Sequence, residues 1–330
     1  MNPRRRLLLA LSLLAGVVPL AGRAQSADRV RRIGVLSLNK AGSQVAQFEA
    51  AVMLAGLRSA GYEEGRNLQV EWRYAEADVA RLAGLAVQLV RLEVELILAI
   101  TNDPIEAAMR ATRRIPIVMI GAALPVELGY VHSLARPGAN VTGTSWASIE
   151  IAGKILQILQ EAAPGARRIA LLANPVAPGT QSYRLVNQRA AQRLGLSLEV
   201  FDLGPADLLA QTLQRVAASR PDALYVAGEG KVGTQLNEIV AFATHHRLLA
   251  IGVTPQFIDA GGALYYGPNL AHLAQRTASY IDRILKGSAP ADLPVELPTK
   301  FDLVVNARAL KSIGVRLPRA LLLRADEVIQ

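Results

Sequence analysis

Up to residue 120 the chain alternates two hydrophobic patterns. Short apolar runs at 33–38, 96–100 and 115–120 have the length of strands buried on both faces. Residues 68–74 set Leu, Val, Trp and Tyr against Gln, Glu and Arg, which predicts a half-exposed strand. Val45, Phe48, Val52, Leu54 and Leu57 recur at helical spacing over 44–60, and Gly61 ends that helix. Residues 79–91 predict a second helix, and Pro104 suits the first turn of a third.

The pattern breaks at RPGANVTGTSWASIE, from Arg136 to Glu150, which is rich in Gly, Thr, Ser and Asn and has no helical period. It then restarts in similar words. Arg31-Arg32-Ile33-Gly34-Val35-Leu36 opens the first run, and Arg167-Arg168-Ile169-Ala170-Leu171-Leu172 opens the second. Helices are predicted at 151–163, 180–194, 207–218 and 234–246, with strands at 169–173, 198–203, 223–227 and 249–253. Such alternation implies parallel sheets with right-handed crossovers. The fold class is therefore α/β: two Rossmann-like lobes, with the stretch at 136–150 as the first crossing between them. A strand within 261–267 enters a second crossing, a helix over 270–285 follows, and extended chain at 293–305 makes a third. Three crossings form a three-stranded hinge. The expected division is a leader at 1–24, one lobe from 28–145 plus about 268–290, and another from 146–267 plus about 291–330.

In open parallel sheets the ligand sits beyond the carboxyl ends of the strands. That rule nominates loops at 37–39, 74–76, 101–103 and 121–124 in the first lobe, and at 174–179, 228–231 and 254–257 in the second. From these loops Ser37, Asn39, Thr101, Asn102 and Thr254 offer hydrogen bonds to a small polar solute. Asp103 or Glu229 could pair with an ammonium group. Tyr74, Trp146, Tyr183, Phe257 and Tyr265 could stack on a flat ligand, and Gly121 and Asn174 complete the candidate wall. Helix N-termini after the loops present backbone N–H groups to a carboxylate.

Composition narrows the chemistry. Half of the 330 residues are hydrophobic, enough for a core in each of two domains. The chain has no cysteine, which excludes disulfides, thiolate catalysis, Cys-ligated metals and an acylated lipoprotein cysteine. Net charge is +9, and Arg4, Arg5, Arg6 and Arg23 of the leader carry part of it, leaving about +5. No dense basic run with interleaved aromatics points to nucleic acid. The leader has an arginine n-region, an apolar run over 7–20, and small residues Gly22 and Ala24 before a cleavage at Gln25. Its run falls short of the ~20 residues that span a bilayer. Export through a cleaved signal peptide, by the Sec or twin-arginine route, and a periplasmic location are expected.

Motifs for catalysis are sparse. Gly228-Glu229-Gly230-Lys231-Val232-Gly233 matches G-x-G-x-x-G between a strand and a helix, but follows the third strand of its lobe, and no acid ends the next strand to hold a ribose. His132, His245, His246 and His272 are not spaced with carboxylates as a metal site requires, and no G-x-S-x-G elbow occurs. The residues point to binding without catalysis, cofactor or metal. A nucleotide-using α/β enzyme is the alternative from another class.

At this level the chain resembles the ABC-transporter substrate-binding proteins of the tryptophan-binding type, which have the type I periplasmic binding fold. The resemblance rests on RPGANVTG (Arg136 to Gly143), GKILQILQEAAPGARRIALLANP (Gly153 to Pro175), Gly261 to Gly267, and the tail from Ile284 to Pro318 followed by LLLRADEVI. It implies a monomeric receptor that closes on a small polar or aromatic, amino-acid-like solute and presents it to an inner-membrane permease. A binding protein that reports occupancy to a membrane receptor shares the fold. The chain departs from the family pattern at Gly121 to Val126, where an aspartate usually precedes Pro-Val, and at Gly228-Glu229-Gly230.

Overall fold

Ile33 and Val35 lie on one face of β1 (Arg31–Ser37), Gly34 and Leu36 on the other, and none of the three apolar side chains is exposed. Burial on both faces makes β1 an interior strand. It pairs in parallel with β2 (Leu68–Tyr74) and β3 (Leu96–Ile100). The structure is a computed structural model that describes residues 30–176, 178–203, 208–227, 232 and 235–330. The leader and Glu229 lie outside the described residues, as does most of the glycine motif at 228–233.

The first sheet has five strands in the order β2-β1-β3-β4-β5, all parallel, with β4 at Ile117–Ala122 and β5 at Val141–Ser145. On one face α1 (Gln44–Ser59) packs beside α9 (Leu270–Leu285), over a core of Ile33, Val35, Leu57, Leu98, Val118 and Ile281. On the other, α2 (Val79–Arg91) and α3 (Asn102–Ala111) cover Leu36, Ile97, Ala99 and Met119. A Cβ at Gly34 would come within 2.8 Å of the Leu89 side chain, so the sheet and α2 approach closely there.

The second sheet has seven strands, β12-β11-β10-β9-β8-β6-β7. Its parallel centre is β6 (Arg168–Ala173), β7 (Ser197–Asp202), β8 (Ala223–Val226) and β9 (Leu249–Gly252). α4 (Ser148–Ala162) and α5 (Thr180–Arg193) cover one face, while α6 (Leu209–Ser219), α7 (Leu236–His245) and the short α8 (Gln256–Asp259) cover the other. The tail strands depart from parallel pairing at one place. β10 (Leu264–Pro268) runs antiparallel to β11 (Phe301–Asn306), with Pro268 opposite Phe301. The reason is connectivity: β10 leaves this lobe where β11 re-enters it, so the two must point opposite ways. Beyond the extended chain expected at 293–305, the tail also holds a helix, α10 (Ala307–Ile313), and an edge strand, β12 (Glu327–Ile329).

β5 is the largest departure from the apolar pattern. Its sequence is VTGTS, yet every residue is buried. Thr142 Oγ1 donates to Leu293 O at 2.6 Å, Ser145 Oγ donates to Ala122 O at 2.9 Å, and Thr144 shares a hydroxyl contact with Thr277. Burial without stranded polar atoms explains why a polar run holds this position. Gly143, at φ +132°, is required: a Cβ there would lie 2.2 Å from Met119 O. β5 runs directly into the first crossing at 146–147. The third crossing pairs with it, through Glu296 N to Gly143 O and Ser145 N to Glu296 O, and with the second through Asn269 N to Lys300 O. Arg276 of α9 grips the Glu296 carboxylate with two hydrogen bonds, at 2.6 and 2.5 Å. The three crossings are thus one hydrogen-bonded hinge.

Candidate functional site

The carboxyl ends of the two sheets face a shared cavity of about 420 Å³, lined from both lobes and largely apolar. That volume lies in the range of small-molecule sites, roughly 300–1,000 Å³. The end of β1 and the turn after it supply Ser37, Asn39 and Lys40, the turn from β3 into α3 supplies Thr101 to Asp103, and Gly121 stands next to last in β4. The second lobe brings Pro178, Tyr183, Val253 and Thr254.

Trp146 stands at the first crossing and lines the cavity against Gly121. Gly121 has φ +69°, and a Cβ would sit 3.1 Å from the indole ring. Glycine therefore serves both the turn and the close approach of the ring. Thr101 has φ 66° and ψ 178°, in a region that residues with a Cβ seldom enter. This strained threonine precedes α3, so the first N–H groups of that helix open at the cavity rim.

Asn102 is tied on both sides of the cleft. Its Oδ1 accepts from Ala123 N at 2.9 Å, and its Nδ2 donates to Pro178 O of the second lobe at 3.1 Å. Beside it, Gly179 packs near Leu124 and Leu128 of the first lobe. The lobes touch here, so the structure is closed at this edge. Tyr183 is buried, and its hydroxyl meets that of Tyr225 at 2.6 Å.

Of the residues nominated from sequence, Ser37, Asn39, Thr101, Asn102, Asp103, Gly121, Trp146, Tyr183 and Thr254 line the cavity. Tyr74, Asn174, Phe257 and Tyr265 are placed elsewhere. Tyr74 stacks on Trp72 along β2. The Asn174 side chain accepts from Val176 N and shapes the loop before α5. Phe257 is fully buried, wedged where a Cβ on Gly252 or Gly262 would come within 2.3 Å of its ring carbons. Tyr265 is buried and donates to Pro268 O at 3.0 Å, bracing the second crossing. Two aromatics thus went to core and hinge because small neighbours made room for them.

The loop rule missed α1 and α9, whose inward faces also form wall. Phe48, Glu49, Val52 and Met53 come from α1, and Leu270 and Leu273 from α9. A signal was present: Glu49 sits between Val45, Phe48 and Val52 on the apolar stripe of α1. Both Asn39 Nδ2, at 2.9 Å, and Ser37 Oγ, at 3.4 Å, donate to Glu49 Oε2. Enclosure within the wall pushes the Glu49 carboxyl up to about 7, and the bonds from Asn39 and Ser37 partly counter that. Asp103 is also raised, by burial and then by the nearby Glu106 carboxylate. Among the described residues no group of three His, Cys, Asp or Glu is gathered as a metal would need, and no helix is long and apolar enough to cross a membrane.

A two-lobed α/β body with a hinge of three strands and a solute-sized cleft is the architecture of a type I periplasmic binding protein. The chain belongs to the ABC transporter substrate binding protein family, whose sequence pattern matches residues 47–329. It is 24% identical over 264 residues to a tyrosine-binding protein of Clostridioides difficile, covering 80% of this chain and 75% of that one. A conserved domain protein from Vibrio cholerae superposes with a TM-score of 0.85 at 25% identity, covering 91% of this chain and all of that one. An ABC domain from Streptococcus pneumonia in complex with L-Trp gives 0.84 at 23% identity, covering 91% and 99%. The protein is therefore a solute receptor of an ABC transporter, a family that works outside the cytoplasm with a membrane permease.

Proposed function

We propose that the solute is small and amino-acid-like, polar or aromatic, and that the protein binds it without transforming it. The observation that carries this is the cleft itself: an apolar cavity with Trp146 laid on Gly121 and polar groups converging from the ends of β1 and β3. An aromatic surface with a few placed hydrogen-bonding groups suits recognition of a flat, polar-ended molecule. The relatives described as binding tyrosine and tryptophan support the same class. Residues 1–24 act as a cleaved export signal, and the mature chain works as a monomer in the periplasm. Ligand bound between the lobes favours the closed form by its greater affinity for it, and a permease would read that form.

The test is native mass spectrometry of freshly purified protein, followed by calorimetric titration of the released solute. A bound small molecule of amino-acid mass, recovered unchanged after incubation, is the expected result. Turnover of that molecule, or an empty cleft that titrates with none of a broad solute panel, would overturn the reading.

A further inference from the structure

Glu49 is an acid set into an otherwise apolar helix face, and it looks into the cavity. Its two oxygens are treated differently. Both hydrogen bonds, from Asn39 and Ser37, go to Oε2. Oε1 has no protein donor among the described residues, and no described ion pair includes Glu49. One oxygen is therefore anchored while the other is left to whatever occupies the cleft. An acid held this way has fixed direction and little freedom left to lose on binding. We propose that Glu49 is a specificity-determining residue that receives a cationic amine of the solute on Oε1, so that the receptor selects amine-bearing solutes over otherwise matched molecules lacking that group.

The surroundings fit one positive charge from the ligand. On the first lobe the charged and titratable groups facing Glu49 or sharing its cavity are Lys40, Asp103 and, from β2, Tyr74. α9 contributes only Leu270, Leu273 and Ala274. The described wall of the second lobe contributes Tyr183, Thr254 and Gln256, which carry no charge. Lys40 is exposed and makes no ion pair with Glu49, so no described cation of the protein answers the acid. An ammonium would stabilise the ionised carboxylate that the apolar wall disfavours. Binding then displaces a proton at mildly acidic pH, and affinity rises with pH up to neutrality.

This inference rests on the receptor reading, and the experiment separates the two. The wild-type protein and Glu49→Gln, which imitates the neutral acid at unchanged size, are titrated from pH 5.5 to 8 with L-tyrosine, tyramine and 3-(4-hydroxyphenyl)propanoate. The two amines are expected to bind wild type, tightening severalfold from pH 5.5 to 7 and then levelling. Glu49→Gln is expected to weaken them at least tenfold at pH 8 and to flatten the pH profile, while its thermal unfolding stays cooperative. The propanoate is expected to bind weakly to both. Propanoate binding as tight as that of the amines, or a Glu49→Gln profile identical to wild type, would refute the amine seat and leave the receptor standing. So would a broader panel in which only amine-free solutes bind. Failure of every solute would remove both readings.

Discussion

The two walls of the cleft are built differently. The first lobe presents Glu49, Asp103 and Lys40, together with Thr101 and Ala77 at positive φ. The described wall of the second lobe is neutral: Pro178, Tyr183, Val253, Thr254 and Gln256. Both come from similar strand–helix units, so the difference lies in the side chains of α1 and the strand-end turns and in the backbone of those turns. Charge and strain gather on one side. Trp146 stands at the crossing between the two walls and packs on Gly121.

This contrast can be broken at several points. The largest effect is expected where the first lobe meets the hinge. Gly143→Ala would drive a Cβ into the Met119 backbone at a φ that disfavours any side chain. A loss on the order of 4 kcal/mol, seen as failure to fold or a collapsed denaturation midpoint, follows from strain at such a site. Unaltered unfolding in Gly143→Ala would show that β5 does not need its close contact with β4.

Next is Trp146→Ala, which empties the aromatic surface beside Gly121. A loss of about 2 kcal/mol in solute binding is expected from the buried area of the ring. With Trp72 the only other tryptophan, the Trp72→Phe variant leaves Trp146 as the sole emitter. Its fluorescence should change on solute addition; a silent signal with measurable binding would put the solute elsewhere.

Thr101→Gly tests whether strain is stored in the first wall. Glycine accepts φ 66° and ψ 178° without a Cβ clash. Thermal unfolding should show a gain of about 1 kcal/mol once glycine's added chain entropy is set against the relief. A loss of stability would mean the threonine side chain makes a compensating contact.

The last test is on the ligand-free protein. The Glu49 carboxyl is raised to about 7, so its neutral form is the one the fold prefers. Its stabilising contribution is complete below the unfolded value near 4.5 and is lost as pH rises through 7. Wild type should therefore melt a few degrees lower at pH 8 than at pH 5, relative to Glu49→Gln. Asp103 acts in the same direction at the acidic end. Glu296, lowered chiefly by the Arg276 side chain, and Asp222, lowered chiefly by the backbone N–H groups of Arg167 and Arg168, act in the opposite direction at lower pH and leave this window clear.

Much of the architecture was legible in periodicity because apolar spacing reports burial directly. The helices at Val79–Arg91 and Leu270–Leu285 and the strands at Leu68–Tyr74 and Leu96–Ile100 match their expected bounds. β5 was not legible as a strand, since VTGTS is buried through hydrogen bonds to Leu293, Thr277 and Ala122, which are distant in sequence. The strand-end loops of the cleft were readable because a parallel sheet places every carboxyl end on one side. α1's share of the wall was not, because the loop rule does not reach into a helix.

By itself, then, the order of residues determined the local elements, the doubling into two lobes and the turns that carry polar side chains. These depend on spacing and on glycine and proline, which act within a few residues. Tertiary structure decided which side chains meet. It sent Phe257 and Tyr265 into core and hinge, laid Trp146 on Gly121, and turned Glu49 from a surface-type residue into an enclosed acid. Such outcomes depend on the space left by residues far away in the chain, and no local pattern records that space.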